Sequence, residues 1–187
     1  MKKPQSNYAF IDGNNLHLSV IYIGWRLDYK KFRQYLADKY DVVKAYYFIG
    51  KVPGMEQLYS NLHKYGFDLI FKPPIKDKHG NYKGNVDAEL VLQAMIDFNN
   101  YDGAVIVTSD GGFSCLVKYL KKAGKLKRLL AASKGGCSKY LRKEAGSKVD
   151  YIDNLKPKLE HKKSEKHPIR TNPYSVLSEM ILVQYNM

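Results

Sequence analysis

"AVIVTSDGGFSCLVKYL", residues 104–120, is the stretch of sequence that decides the fold. Its apolar, β-branched run over 103–109 is typical of a strand that is covered on both faces of a parallel sheet. An apolar repeat at helical spacing follows over 113–120. Asp110 and two glycines stand between the two patterns. This acid can be a metal ligand, a helix cap or part of a loop that holds phosphate. The residues elsewhere in the chain are needed to distinguish among these roles.

The same alternation of strands and helices extends over most of the chain. Parallel neighbours in a sheet need crossover connections, so the pattern predicts an α/β fold with a parallel sheet of about five strands and helices on both faces. The segment 73–84 is rich in Pro, Gly, Asn and Lys, which predicts a loop. Strands are predicted at 8–11, 42–50, 67–73, 103–109 and 125–133, and helices at 16–24, 29–40, 55–66, 86–98, 113–124 and 138–146.

Length and composition indicate one folded domain and a tail. The chain has 187 residues, of which 44% are hydrophobic, enough to bury a core. We predict a domain over 1–155, a basic flexible linker over 156–172, and an apolar segment over 173–187 that docks on the domain, a second copy or another protein. Neither a signal peptide nor a membrane-spanning run is evident, and the two cysteines lack metal-site spacing, so a cytoplasmic location is expected.

The net charge of +13 favours a polyanionic partner, nucleic acid before a membrane surface. No P-loop sequence is present. An aspartyl-nucleophile phosphatase would need a second acid two residues after Asp12, where Asn14 stands. The five histidines have no paired Ser or Cys that would indicate a nucleophilic triad.

Three aspartates are predicted to share the carboxyl edge of the sheet, where ligands of such folds bind. Asp12 and Asp110 each follow the last apolar residue of a predicted strand, and Asp87 opens a predicted helix. Carboxylates suit a hard cation such as Mg²⁺, which can activate water and clamp phosphate oxygens. Taken singly, each acid also fits a structural role, Asp110 as a helix cap, Asp87 as a first-turn acid and Asp12 in an Asx-turn. Taken together they favour a metal site.

The chain resembles the NYN domain, in the LabA-like branch of the PIN-like nuclease superfamily. Three blocks in order carry the resemblance, "YAFIDGNNLHLSV" from residue 8, "KGNVDAELVLQAM" from residue 83 and "YDGAVIVTSDGGFSCLVKYLKKAGKLKRLLAAS" from residue 101. The resemblance implies a Rossmann-like domain with a metal-dependent ribonuclease site. It assigns metal binding to Asp12, Asp87 and Asp110, and its matched positions include Asn14, Asn15, Lys83 and Gly84.

One position of the chain departs from the sequence pattern of the family. The last block of the family normally reads Ser/Gly-Asp-x-Asp-Phe, and here Gly112 replaces the second aspartate. One hypothesis is a Mg²⁺- or Mn²⁺-dependent endoribonuclease that works with three acids. The alternative is an RNA-binding module whose catalysis is weakened or lost, and a nucleotide-binding regulator is a third. Asp97 or Glu89 could also substitute for the missing acid.

RNA, single-stranded, is the expected partner, with a homodimer or a protein partner through the C-terminal segment. Within the catalytic group we include Asn15. Tyr82, in the lysine-rich loop 72–83, either stacks on a base or belongs to a solvated, mobile loop, and the sequence leaves both open. The residues predicted to position water or to contact phosphate are Asn14, Lys83, Thr108, Ser109, Lys72, Lys76 and Lys78.

Overall fold

The computed structural model describes residues 6–72, 75–76, 82–83 and 86–162, and it confirms the α/β fold. Six parallel strands form one sheet in the order β3-β2-β1-β6-β7-β8, and β4 and β5 form a separate antiparallel pair. The strands are β1 Asn7–Asp12, β2 Val42–Gly50, β3 Asp68–Lys72, β4 Ile75–Lys76, β5 Tyr82–Lys83, β6 Gly103–Val107, β7 Leu126–Ala131 and β8 Val149–Tyr151. The helices are α1 Gly13–Tyr22, α2 Tyr29–Tyr40, α3 Glu56–Lys64, α4 Asp87–Ile96, α5 Ser114–Lys122, α6 Lys139–Ala145 and α7 Lys156–Leu159.

The central strands are apolar on both sides because helices cover both faces of the sheet. Along β1, Ile11 packs in one core cluster and its neighbour Phe10 in the other. Along β6, Val105 and Val107 belong to the first cluster, while Ile106 belongs to the second. Helices α1, α2, α3 and α7 contribute to the first cluster, and α4, α5 and α6 contribute to the second. This two-sided burial produces the continuous apolar runs in the sequence.

Two elements differ from the predicted pattern. The sheet has a sixth strand, β8, of three half-buried residues, which is too short to give an alternating signal. The predicted loop 73–84 contains the two-residue strands β4 and β5. The other predicted strands and helices are present with shifts of a few residues at their ends, and α2 and β2 have the predicted bounds.

The folded body extends past the predicted boundary at residue 155. Leu159 in α7 is buried, and its carbonyl accepts a hydrogen bond from the Asp28 amide at 2.8 Å. The His161 amide donates to the Arg26 carbonyl at 2.9 Å. Residues 156–161 are therefore packed on the domain and are not linker. The rest of the predicted linker from 163 and the whole segment 173–187 lie outside the described residues.

The strand order reverses between β1 and β6, and this point positions the candidate site. From β1 the chain proceeds through β2 to β3 on one side, and from β6 through β7 to β8 on the other. Ile11 pairs with Val107 in the register of these two strands, so the residues that follow them emerge side by side. Open α/β sheets bind ligands at such a reversal, outside the carboxyl ends of the strands. None of the helices in the described ranges has the length and apolar character that a membrane crossing requires.

Candidate functional site

Asp12 ends β1 and caps α1. Its Oδ1 accepts the Asn15 amide at 3.1 Å and its Oδ2 accepts the Thr108 hydroxyl at 3.2 Å. Helix α1 begins at once because residue 13 is glycine. A Cβ there would overlap the Tyr47 ring and lie 2.7 Å from the Phe48 carbonyl oxygen. The carboxylate is 5% exposed, so the tight junction between strand and helix buries it at the sheet edge.

The loop after β6 is tied to Asp12 through side chains. The Thr108 hydroxyl donates to Asp12 and accepts the Asp110 amide at 3.2 Å. Asn15 Oδ1 accepts the Ser109 amide at 2.8 Å, which joins the start of α1 to the same loop. The Ser109 hydroxyl accepts the Ala132 amide at 3.3 Å. These bonds fix the backbone that carries Asp110.

Asp110 and Asp87 face a common space beside Gly112. Asp110 Oδ1 accepts the Gly112 amide at 2.8 Å and caps the short 3₁₀ turn Gly111–Phe113. An ideal Cβ on Gly112 would lie 3.4 Å from Asp110 Oδ1 and 3.8 Å from Asp87 Oδ2. Asp87 is the first residue of α4. The structure therefore brings together the ends of β1 and β6 and the start of α4, as the sequence predicts.

The two glycines of this loop have different roles. A Cβ on Gly111 would lie 2.6 Å from the Ser138 hydroxyl, closer than real contacts allow, whereas Gly112 has room for a side chain. A side chain at residue 111 would force Ser138 to move, whereas Gly112 leaves a space on the acidic side of the loop.

The electrostatics of the site centre on Asp12. Burial raises the pKa of its carboxyl to about 7, and the negative charges of Asp87 and Asp110 add to this rise. The hydrogen bonds from Asn15 and Thr108 lower the pKa and only partly oppose the effect. A buried acid beside two others is the environment in which a cation would be strongly favoured.

The donor set of the site is made of oxygen atoms, which fits a hard divalent cation. Within the described ranges, however, no three His, Cys, Asp or Glu side chains are close enough to hold a metal ion by themselves. Mg²⁺ commonly takes one or two carboxylates and completes its shell with water and substrate phosphate. The residues present therefore fit a Mg²⁺ ion that takes one or two ligands from the protein and the others from water and substrate phosphate.

Several predicted phosphate contacts fall in other environments. Thr108 and Ser109 are 2% and 6% exposed, and their hydroxyls bond within the protein, which favours a positioning role. Asn14 is half-buried in the first turn of α1. Lys72, at the end of β3, forms an ion pair with Glu89 at 3.2 Å. The predicted contacts of Lys76, Lys78, Tyr82 and Lys83 concern side chains outside the described part of the chain.

The two acids considered as substitutes for the missing aspartate have other partners. Asp97 caps the far end of the ten-residue helix α4, where it accepts hydrogen bonds from Tyr46 at 2.6 Å and from Gln93 at 2.8 Å. Asp97 is too far along the helix to join Asp87, so this alternative is wrong. Glu89 is paired with Lys72.

The loop that follows β7 also contributes to the site, and it was not predicted from the sequence. The Ser138 amide donates to the Ser109 carbonyl at 3.0 Å, and its side chain lies against Gly111. The signal that could have found it is "SKGGCSK", residues 133–139, because this stretch follows a strand whose carboxyl end reaches the same edge.

Comparisons with known proteins agree with the fold. The sequence matches the model of the NYN domain family over residues 8–153. It is 25% identical to the low amplitude and bright protein LabA of Synechococcus elongatus over 162 residues, which cover 81% of this chain and 86% of LabA. A crystal structure of a protein of unknown function from Vibrio parahaemolyticus has the same fold, with a TM-score of 0.71 and 23% identity over 82% of this chain and 96% of that one. The resemblance predicted from the sequence is confirmed. The chain belongs to the NYN domain family of the PIN-like nuclease superfamily.

Proposed function

We propose that the protein is a Mg²⁺- or Mn²⁺-dependent ribonuclease whose site contains Asp12, Asp87 and Asp110. The observation that carries this proposal is the meeting of three aspartates from separate elements at the strand-order reversal, around a buried carboxyl whose pKa is raised to about 7. Structural acids are seldom gathered in this way, because their mutual repulsion destabilises the folded state. Membership in a nuclease superfamily gives the same expectation.

In this proposal the aspartates bind the cation and the neighbouring polar residues hold them in position. One or two of Asp12, Asp87 and Asp110 would contact the cation directly and the rest through water, and Asp12 would give up its proton when the cation binds. Thr108 holds the Asp12 carboxylate and the Asp110 amide in one arrangement through its single hydroxyl. Asn15 keeps the start of α1 against the loop after β6. These bonds fix the carboxylates before substrate arrives, which is the preorganisation that such a site needs.

The cation would supply activation of water and neutralisation of phosphate charge. The remainder of the substrate is held by the protein. A net charge of +13 favours RNA, whose backbone carries one negative charge per nucleotide. The site is open at the sheet edge, since Asp87 and Asp110 are only partly buried. A phosphodiester can therefore reach these carboxylates from solvent.

The second candidate function is an RNA-binding module with weak or no catalysis, and one observation favours it. Gly112 stands where the family has a second aspartate, and a Cβ on Gly112 would lie 3.4 Å from Asp110 Oδ1. Without that carboxylate the site has one negative charge less, and cation affinity falls with it.

The deciding experiment is cleavage of an end-labelled single-stranded RNA by purified protein with Mn²⁺, Mg²⁺ or EDTA. We expect cleavage with Mn²⁺ or Mg²⁺, none in EDTA, and loss of cleavage in Asp12→Asn. Asp38→Asn is the matched control, because Asp38 is an exposed aspartate on α2. Cleavage that persists in Asp12→Asn would indicate a contaminating nuclease. Salt-sensitive RNA binding without cleavage would support the binding module.

A further inference from the structure

The segment 133–143, here called the 133–143 surface, lies beside the acidic loop. It comprises the loop after β7 and most of α6. The Ser138 amide donates to the Ser109 carbonyl at 3.0 Å, and the Ser138 hydroxyl would be 2.6 Å from a Cβ on Gly111. Ser138 is thus in contact with the residue next to Asp110. A chain of nucleotides at the three aspartates would pass over this surface or over the opposite flank at β3.

Internal hydrogen bonds hold the loop part of the surface in shape. The Ser133 hydroxyl accepts the Gly136 amide at 3.1 Å, and the Ser133 carbonyl accepts the Cys137 amide at 3.1 Å. The Arg142 guanidinium donates to the Lys134 carbonyl. A binding surface that is already ordered loses less conformational entropy when a ligand binds.

The surface is strongly basic and its charges are available. Residues 133–143 include four basic residues and no acid, the basic ones being Lys134, Lys139, Arg142 and Lys143. Lys134, Lys139 and Lys143 are exposed, and none of them forms an ion pair with another residue in the described part of the chain. On the opposite flank, Lys72 is paired with Glu89 at 3.2 Å. Within the described part of the chain, Lys134, Lys139 and Lys143 therefore present positive charge on the β7 side that no carboxylate within ion-pair distance neutralises.

One aromatic ring stands among these lysines. Tyr140 is 76% exposed at the start of α6, and Lys143, three residues further along the helix, is its neighbour on the helix surface. A single exposed tyrosine has no special meaning. An exposed ring on the same short helix as two exposed lysines is, however, a combination that can bind single-stranded nucleic acid, because an unpaired base can stack on the ring while the lysines contact phosphates.

We propose that the 133–143 surface binds single-stranded RNA next to the acidic site, with Tyr140 stacking on a base and Lys139 and Lys143 contacting the backbone. The inference rests on the proposed function, since it assigns the path of the RNA on one side of that site. Stacking requires an unpaired base, so the surface selects single strands over duplexes. Ser138 and Gly111 provide the contact that joins the surface to the loop of Asp110.

The test is fluorescence anisotropy with a labelled ten-nucleotide single-stranded RNA in EDTA, where cleavage does not interfere. Tyr140→Ala should weaken binding by about tenfold, and Tyr140→Phe should bind like the wild type because it keeps the ring. The matched control is Tyr22→Ala, since Tyr22 is 89% exposed at the far end of α1. A duplex of the same sequence should bind equally to wild type and Tyr140→Ala.

The lysines are tested by the salt dependence of the same binding. The double variant Lys139→Ala/Lys143→Ala should reduce the slope of log K against log salt by about 1.4, or roughly 0.7 per lysine. The control pair is Lys39→Ala/Lys64→Ala, exposed residues near the ends of α2 and α3, before β2 and β3 begin. If the wild type binds RNA and the variants match their controls, the inference is overturned while the proposed function stands. If the wild type shows no RNA binding in EDTA, the inference is overturned, and the cleavage assay with Mn²⁺ or Mg²⁺ decides the proposed function separately.

Discussion

Gly112 faces the Asp110 carboxylate: a Cβ on Gly112 would lie 3.4 Å from Asp110 Oδ1, and the Gly112 amide already donates to that oxygen at 2.8 Å. Asp87 Oδ2 is 3.8 Å from the same Cβ position. A Cβ at residue 112 would therefore lie beside both carboxylates at ordinary contact distances. In the proposed metal site, the departure from the family pattern removes a carboxylate and leaves room for it.

We expect Gly112→Asp to strengthen binding of Mn²⁺ by about tenfold or more, because a fourth carboxylate adds charge and oxygen donors to the site. The measurement is isothermal titration of the protein with Mn²⁺, followed by the RNA cleavage assay. Catalysis should rise with metal occupancy at low Mn²⁺ concentration.

The control for this substitution is Gly112→Asn, which has nearly the same size and no charge. An equal gain in Mn²⁺ affinity for Asn and Asp would contradict the charge argument. If the wild type is inert and only Gly112→Asp cleaves RNA, the wild-type protein is the binding module.

We expect Asp12→Asn to stabilise the metal-free protein at neutral and alkaline pH. Asp12 has a pKa of about 7 in the folded protein against an ordinary value of 3.8, so the folded state binds the proton more tightly than the unfolded state. Its contribution to the free energy of unfolding therefore falls as pH rises from about 4 to about 7 and is constant above that. In EDTA at pH 8, Asp12→Asn should be more stable by about 2–4 kcal/mol.

Urea unfolding between pH 4 and pH 8 measures this difference. The gain should shrink toward zero near pH 4, where Asp12 is protonated in the folded protein. Asp38→Asn, the exposed control on α2, should show no such trend. A difference between Asp12→Asn and wild type that does not change with pH would refute the assignment of a raised pKa.

Much of the fold was predictable because its signals are local. Two-sided burial gives β2 and β6 their continuous apolar runs, and α2 has an apolar face at helical spacing. Strand β8 was not predictable, since its three half-buried residues give no periodic pattern and, within the described ranges, pair with β7 alone. The β4–β5 pair was missed because its strands have two residues each in a Pro- and Gly-containing segment.

The acids of the site were predictable from the sheet topology, while the residues that hydrogen-bond to them or pack against their loop were not. Asp12 and Asp110 follow apolar strands, and parallel strands bring such residues to one edge. The bond from Thr108 to Asp12 joins residues 96 positions apart, and the side chain gives no local sign of it. The approach of Ser138 to Gly111 likewise depends on two loops that meet only in the folded chain.

We expect Thr108→Val to destabilise the protein by about 1–3 kcal/mol, since valine keeps the shape and removes the hydroxyl. The Asp110 amide loses its acceptor and the Asp12 carboxylate loses a donor. Urea unfolding at pH 8 measures the loss, and Thr108→Ser, which keeps the hydroxyl, is the control. Equal stability of Thr108→Val and Thr108→Ser would show that the hydroxyl does not support the site.

The last prediction concerns the contact that joins the acidic loop to the 133–143 surface. We expect Gly111→Ala to destabilise the protein by about 1–3 kcal/mol, because its Cβ would lie 2.6 Å from Ser138 Oγ and 3.2 Å from Ser138 Cβ. Gly112→Ala is a matched control one residue away, where the nearest atom is 3.4 Å from the Cβ, and it should change stability by no more than about 0.5 kcal/mol.

A double-mutant cycle separates this clash from any general effect on the loop. Ser138→Gly removes both atoms that the new Cβ would meet, so Gly111→Ala should cost less in the Ser138→Gly background by about 1 kcal/mol or more. Urea unfolding of the four proteins gives the coupling free energy. Additive effects would mean that the two loops move apart easily, and the 133–143 surface would then have no fixed position beside Asp110.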